Sequence, residues 1–110
     1  MAIHHAAPGE RIELYPKDGG EEPPGSVALI RDEHFEVFRL VMEQGKQLPE
    51  HEHASLITIQ CLRGRVQVTM PGREEVLSAG TMIYLASGER HGLHALEDSS
   101  VLVTMLVARE

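Results

Sequence analysis

The apolar residues of this chain recur in short alternating runs separated by turn residues. In "RVQVTM" (65–70), Val66, Val68 and Met70 fall on one face of a strand and polar residues on the other. The runs "SVALI", "HFEVFRLVM", "LITIQCL", "TMIYLA" and "SSVLVTMLVA" follow a similar plan, with turn residues between them. Short strands spaced by about 8–12 residues are typical of a sandwich or barrel, so we predict an all-β antiparallel fold.

The first part of the chain has a different composition. The stretch "PKDGGEEPPGS" (16–26) is rich in Gly, Pro and acidic residues and predicts a loop, whereas "ERIELY" (10–15) alternates like one short strand. A segment of this length cannot build a core of its own. We therefore interpret residues 1–25 as an extension with one strand that pairs along a sheet edge or with a second copy of the chain, and residues 26–110 as the barrel domain. This arrangement favours a homodimer.

Composition and charge exclude several classes of partner. The chain has 110 residues and a formal net charge of −7, with its Lys and Arg residues dispersed, which argues against binding to nucleic acid. No apolar run approaches the roughly 20 residues of a membrane span, and the start "MAIHHAAPGE" has no secretory pattern. The single cysteine, Cys61, cannot form an internal disulfide. We expect a cytoplasmic protein that binds a small molecule.

Two of the seven histidines, His51 and His53, lie on either side of Glu52. Residues two apart on a strand share a face and lie about 6.6 Å apart along it, so both rings can reach one metal ion. An acidic loop with two solvated histidines explains the same local sequence equally well. The pair alone is therefore a weak indication of a metal site.

The glycines around these histidines narrow the interpretation. Gly45 precedes His51 by six residues and Gly64 follows His53 by eleven, while "GTMIYLASGERH" (80–91) places two more glycines before His91. In this spacing the chain resembles the cupin family over residues 45–95. The resemblance implies a small antiparallel jelly-roll barrel, also called a double-stranded β-helix. It also implies that His51, His53 and His91 meet at one divalent transition metal, which can be iron, manganese, nickel, zinc or copper.

Three positions depart from the motifs of that family. Ile57 stands where the first motif usually has a glutamate ligand, and Ala86 and Ala95 replace the proline and the asparagine of the second motif. Without the glutamate, the site has at most three neutral nitrogen ligands, so a bound ion keeps its full double positive charge. Such an ion is held less tightly and is a stronger Lewis acid toward anionic ligands.

The strand patterns also suggest which side chains surround the site. Apolar side chains form most of the predicted pocket wall, and two polar side chains are further candidates. Tyr84 is a candidate phenol acid, although a core or interface tyrosine is the more common outcome. Gln60 reaches the site only if a bulge shifts the register of its strand. The full set of predicted pocket residues is Ile57, Ile59, Gln60, Val68, Tyr84 and Leu85.

Two classes of function fit these residues. The first is an enzyme, a metal-dependent dioxygenase or isomerase acting on a small anionic or enolisable molecule. The second is a non-catalytic cupin module that holds a small ligand or the metal itself. A pocket with no evident general base favours oxygen chemistry over proton transfer within the first class.

Overall fold

Nine β-strands account for the regular structure of the described residues. The structure is a computed structural model that describes residues 5–15, 23–52 and 55–107, with the side chains of 51 and 52 left out. In chain order the strands are β1 Gly25–Arg31, β2 Phe35–Met42, β3 Gln47–Glu52, β4 Ile57–Arg63, β5 Arg65–Met70, β6 Arg73–Ser78, β7 Met82–Leu85, β8 Arg90–Ala95 and β9 Ser99–Leu106. Within these residues no helix has the length and apolar character needed to cross a membrane.

The strands form two antiparallel sheets. One sheet has five strands in the order β1-β2-β9-β4-β7, and the other has four in the order β3-β8-β5-β6. Neighbours in the sheets are therefore mostly distant in the chain, as in a jelly roll. The all-β, cupin-like fold predicted from the sequence is confirmed.

The core lies between the sheets and follows the predicted alternation. Val66 and Val68 are fully buried and Met70 is 6% exposed, whereas the polar residues between them are half-buried. The five-stranded sheet contributes its own alternating positions to the same core. The buried core residues are Met42, Ile57, Ile59, Cys61, Val66, Val68, Met70, Leu77, Leu85, Leu93, Ala95, Val101 and Val103.

Gly64 joins two strands that belong to different sheets. β4 pairs with β7 and β9, whereas β5 pairs with β6 and β8, so the chain changes sheet within one residue. Gly64 has a φ of 82°, a conformation that costs other residues about 1–2 kcal/mol. Just before it, the register of β4 shifts between Cys61 and Arg63, and both Cys61 and Leu62 are buried. β4 stays paired with β9 after this bulge, at Arg63, and the chain leaves the five-stranded sheet at Gly64.

The N-terminal segment 5–15 packs on its own chain, but it does not form the strand predicted over residues 10–15. The backbone N–H of Ala6 donates to the carbonyl of Leu29 at the edge strand β1, and a turn follows at Pro8 and Gly9. Further along, the Tyr15 hydroxyl donates to the carbonyl of Leu62 at 3.2 Å. After the turn, residues 10–13 line a shallow pocket together with Leu29 of β1 without pairing to that strand.

Candidate functional site

A cavity of about 220 Å³ lies between the two sheets. The five-stranded sheet supplies one wall from β2, β4 and β9, and β3 and β8 of the four-stranded sheet supply the other. The lining residues are Phe38, Leu40, Leu48, Ile57, Ile59, His91, Gly92, Leu93, Val103 and Met105. Among these residues His91 is the only one with a polar side chain, so the described wall is apolar except at one imidazole.

His91 is held at the wall by its strand and by the turn before it. The residue is only 6% exposed and lies on β8, directly before Gly92. The ring Nδ1 is 3.5 Å from the carbonyl oxygen of Glu89, a weak contact at the long end of the hydrogen-bond range. A proton on Nδ1 would point toward that carbonyl and would place the lone pair of the ring on Nε2.

The register between β3 and β8 changes next to this histidine. Leu48 pairs with Leu93, but His51 pairs directly with His91, so β3 contains one extra residue between the two pairs. Pro49 lies in this bulge, where its missing N–H costs no ladder hydrogen bond. In a regular ladder residue 50 would lie opposite His91. The bulge therefore brings His51 into register with His91.

Gly92 lies opposite this bulge, and the close approach of β3 requires a glycine. A Cβ at Gly92 would lie 2.9 Å from the carbonyl oxygen of Leu48 and 3.1 Å from the backbone nitrogen of Glu50. Both are backbone atoms of a paired strand, so they could move only if the strand itself moved. A larger residue at this position would push β3 away from β8 and disturb the pairing of His51 with His91.

The predicted metal ligands are only partly within the described structure. His91 lines the cavity and the backbone of His51 lies opposite it, whereas His53 lies outside the described residues. Among the side chains that are described, no group of three His, Cys, Asp or Glu residues lies close enough to hold a metal ion. The three-histidine site therefore stays a prediction.

The predicted pocket residues divide into three groups. Ile57 and Ile59 line the cavity. Val68 and Leu85 are buried in the core but do not line the cavity. The two polar candidates, Gln60 and Tyr84, form the third group and lie outside the cavity lining.

Neither polar candidate reaches the cavity. Gln60 lies between the buried Ile59 and Cys61, and the bulge of β4 comes only after Cys61, so nothing turns Gln60 inward. Tyr84 is 66% exposed, because it alternates on β7 with Ile83, which packs against the core. Tyr84 is thus neither a wall residue nor a core residue.

Four residues on the same wall as Ile57 and Ile59 were not predicted from the sequence. Phe38 and Leu40 line the cavity from β2, yet Val37 and Val41 on the same strand are also buried, so alternation alone does not select a face. Val103 and Met105 lie in the apolar run "SSVLVTMLVA" (99–108), but they join the wall by pairing with Ile59 and Ile57, and no local sequence signal contains that pairing.

The remaining candidate groups lie away from the cavity. His94 is half-buried on β8 and does not line it, and His34 is an exposed turn residue whose Nε2 lies 3.2 Å from a carboxylate oxygen of Glu33. Cys61 is fully buried, and this burial raises the pKa of its thiol. A protonated thiol is a poor nucleophile, which agrees with its interpretation as a small core residue.

Solved structures share this fold at low sequence identity. A conserved protein of unknown function from Streptococcus pyogenes matches with a TM-score of 0.78 and 16% identity over 100% of this chain and 97% of its own. KdgF from a Halomonas species matches at 0.73 and 20% identity, covering 88% of this chain and 96% of that one. The DMSP lyase DddQ from Ruegeria pomeroyi matches at 0.71 and 20% identity over 78% of this chain, which spans 48% of the lyase.

Comparison at the level of sequence gives the family. No curated protein matches the chain. The family model described as "Cupin domain" matches residues 38–107, which include β3, β8 and every described residue that lines the cavity. This match extends over well over half of the chain, and with the jelly-roll sheets it makes the protein a member of the cupin family.

Proposed function

We propose that this protein binds a divalent transition metal through His51, His53 and His91 at the wall of its apolar cavity, and that it acts there on a small molecule. The observation that carries the proposal is the register of β3 and β8, in which His51 lies directly opposite His91. Directly opposed residues of an antiparallel pair share a face of the sheet. Since His91 lines the cavity, its pairing with His51 supports our proposal that residue 51 contributes to the same site.

The residues present suit such a metal. Imidazole is a good ligand for iron, copper, nickel and zinc, and the contact of His91 Nδ1 with the Glu89 carbonyl favours the tautomer that carries its proton on Nδ1 and its lone pair on Nε2. When bound, the metal supplies Lewis-acid or redox chemistry at the oxygen atoms of a ligand. The apolar walls exclude water from that ligand, and His91 fixes the position of the centre relative to the cavity.

Among enzymatic reactions, oxygenation is favoured over isomerisation. An isomerase needs a side chain that moves a proton, and the described lining residues offer no carboxylate, lysine or tyrosine for that purpose. Tyr84, the candidate phenol, is exposed on the outside of β7. We therefore favour a metal-dependent dioxygenase acting on a small anionic or enolisable molecule.

Metal analysis tests the proposed site. Protein expressed without a nickel-affinity step should contain about one metal ion per chain, and the double variant His51→Ala/His53→Ala should contain almost none, because one imidazole cannot retain the ion. The double variant should still give the circular dichroism of a folded β protein, since the core supplies most of the stability. His94→Ala is the matched control and should keep its metal. Metal retained by the double variant would refute the site.

The same apolar wall also fits a second function, a non-catalytic module that holds a ligand or the metal. Oxygen uptake distinguishes the two functions. Iron-loaded protein should consume oxygen when a substrate from a panel of diketones, thiols and sugar acids is added. If no compound of the panel causes oxygen uptake while the metal is bound, the binding module is favoured.

We further propose that the protein is a homodimer. Met82 and Tyr84 are 56% and 66% exposed on one face of β7, the edge strand of the five-stranded sheet, which is an unusual place for two large side chains of this kind in a monomer. Light scattering at micromolar concentration should give twice the 12.2 kDa mass of the chain. The mass of one chain at that concentration would contradict the proposal.

A further inference from the structure

The apolar character of the described cavity walls indicates which chemical groups a ligand can place there. Apart from His91, every described lining residue is apolar or is glycine, and none carries a charge. A hydroxyl group buried against such a wall loses its hydrogen bonds to water and gains none, at a cost of about 1–3 kcal/mol. Each hydroxyl on the buried part of a ligand would thus weaken binding by about one order of magnitude.

The volume limits the size of that ligand. The cavity volume of about 220 Å³ lies below the roughly 300–1,000 Å³ of most ligand pockets, which favours a small ligand. The aromatic ring of Phe38 and the branched side chains of Ile57 and Ile59 offer contact to a compact body of this size. A branched aliphatic or small aromatic group fills such a space without leaving unpaired polar atoms.

Only one group of the described wall can contact the polar end of the ligand. His91 is the single polar side chain of the described wall, and under the proposed function it binds a metal that keeps its double positive charge. A dication with open positions attracts an anionic oxygen group. We infer that the ligand is a small carboxylic acid with an apolar tail, whose carboxylate lies at the His91 end and whose tail fills the cavity. This inference rests on the proposed function for the head of the ligand but not for the tail.

Two acids with the same head test the preference for the tail. Leucic acid and threonate are both 2-hydroxy acids with equal numbers of non-hydrogen atoms and equal charge, but the first has a branched aliphatic tail and the second has hydroxyls. Calorimetric titration of metal-loaded protein should give a Kd for leucic acid at least about tenfold lower than that for threonate. Lactate, which has the head without the tail, should bind as weakly as threonate. Equal affinities, or tighter binding of threonate, would overturn the inference.

A pair of matched variants tests whether the tail occupies this cavity. Leu40→Phe adds volume at the lining, so it should weaken leucic acid by about tenfold and leave lactate and the metal content unchanged. Leu102→Phe makes the same change on β9 at a half-buried position that does not line the cavity, and it should leave all affinities unchanged. If Leu40→Phe does not fold, Met105→Gln adds a polar group at nearly constant volume and should weaken leucic acid alone. An unchanged affinity for leucic acid in both lining variants would refute the location.

Metal-free protein separates this inference from the proposed function. In the His51→Ala/His53→Ala variant, isoamyl alcohol should shift the methyl NMR signals of Ile57, Ile59 and Val103, and erythritol should not. Those shifts in a wild type that holds no metal would leave the apolar tail supported and refute the metal. If neither alcohol shifts these signals, the tail site is refuted, whatever the metal content.

Discussion

We expect Gly64→Ala to destabilise the protein by about 3–5 kcal/mol, enough to unfold most domains of this size at moderate urea concentrations. Gly64 has a φ of 82°, and an added Cβ would overlap the carbonyl oxygen of Asp98 and the hydroxyl of Ser99, and would lie 2.9 Å from Ser99 Cα. The hydroxyl of Ser99 accepts a hydrogen bond from the Arg65 N–H at 3.1 Å, so relief of the overlap would break this link.

Gly72 provides the control that separates the overlap from the backbone conformation. It has a φ of 76°, close to that of Gly64, but a Cβ added there meets no described atom within 4 Å. Gly72→Ala should therefore cost only about 1–2 kcal/mol, the strain of the left-handed conformation. Urea unfolding followed by circular dichroism gives both free energies. Equal losses in the two variants would show that the close approach of Gly64 to Asp98 and Ser99 contributes nothing.

The strands that the sequence predicted well are those with strict alternation. Val66, Val68 and Met70 mark β5 because every second residue is apolar and the core lies on one side only. β3 and β8 have no such alternation, since "QLPEHE" (47–52) and "RHGLHA" (90–95) combine proline, glycine and histidine, so the sequence indicates these strands less clearly. Those are the strands that carry the predicted ligands.

The faces and partners of the strands were harder to predict than their existence. The pattern of β4 placed Ile57 and Ile59 on the inner face, but it did not indicate that β4 and β5 belong to different sheets. That depends on the turn at Gly64 and on long-range pairing with β9, which no local pattern contains. The bulge that sets the register of His51 against His91 likewise depends on Gly92 of another strand, 41 residues along the chain from His51.

The second large effect should come from Ile57→Glu, which returns a carboxylate to the position where the family's first motif usually has one. Ile57 is 3% exposed and lines the cavity together with His91. Without metal, the new carboxylate is buried against apolar walls, and we expect a loss of about 2–4 kcal/mol in the free energy of unfolding. With metal, the carboxylate becomes a fourth ligand and neutralises part of the charge. Metal affinity should then rise by at least about tenfold, the effect of an outer-shell partner alone.

Thermal unfolding with and without added zinc measures this coupling. Metal that binds only the folded state stabilises it by about 4 kcal/mol at a concentration 1,000 times its Kd, so zinc should raise the melting temperature of Ile57→Glu far more than that of the wild type. Thr58→Glu is the matched control, because Thr58 is half-buried on the opposite face of β4 and does not line the cavity. Its response to zinc should equal that of the wild type. If zinc stabilises Ile57→Glu no more than Thr58→Glu, residue 57 does not face the ion, and the proposed chemistry at this wall of the cavity would have to be abandoned while the fold remained.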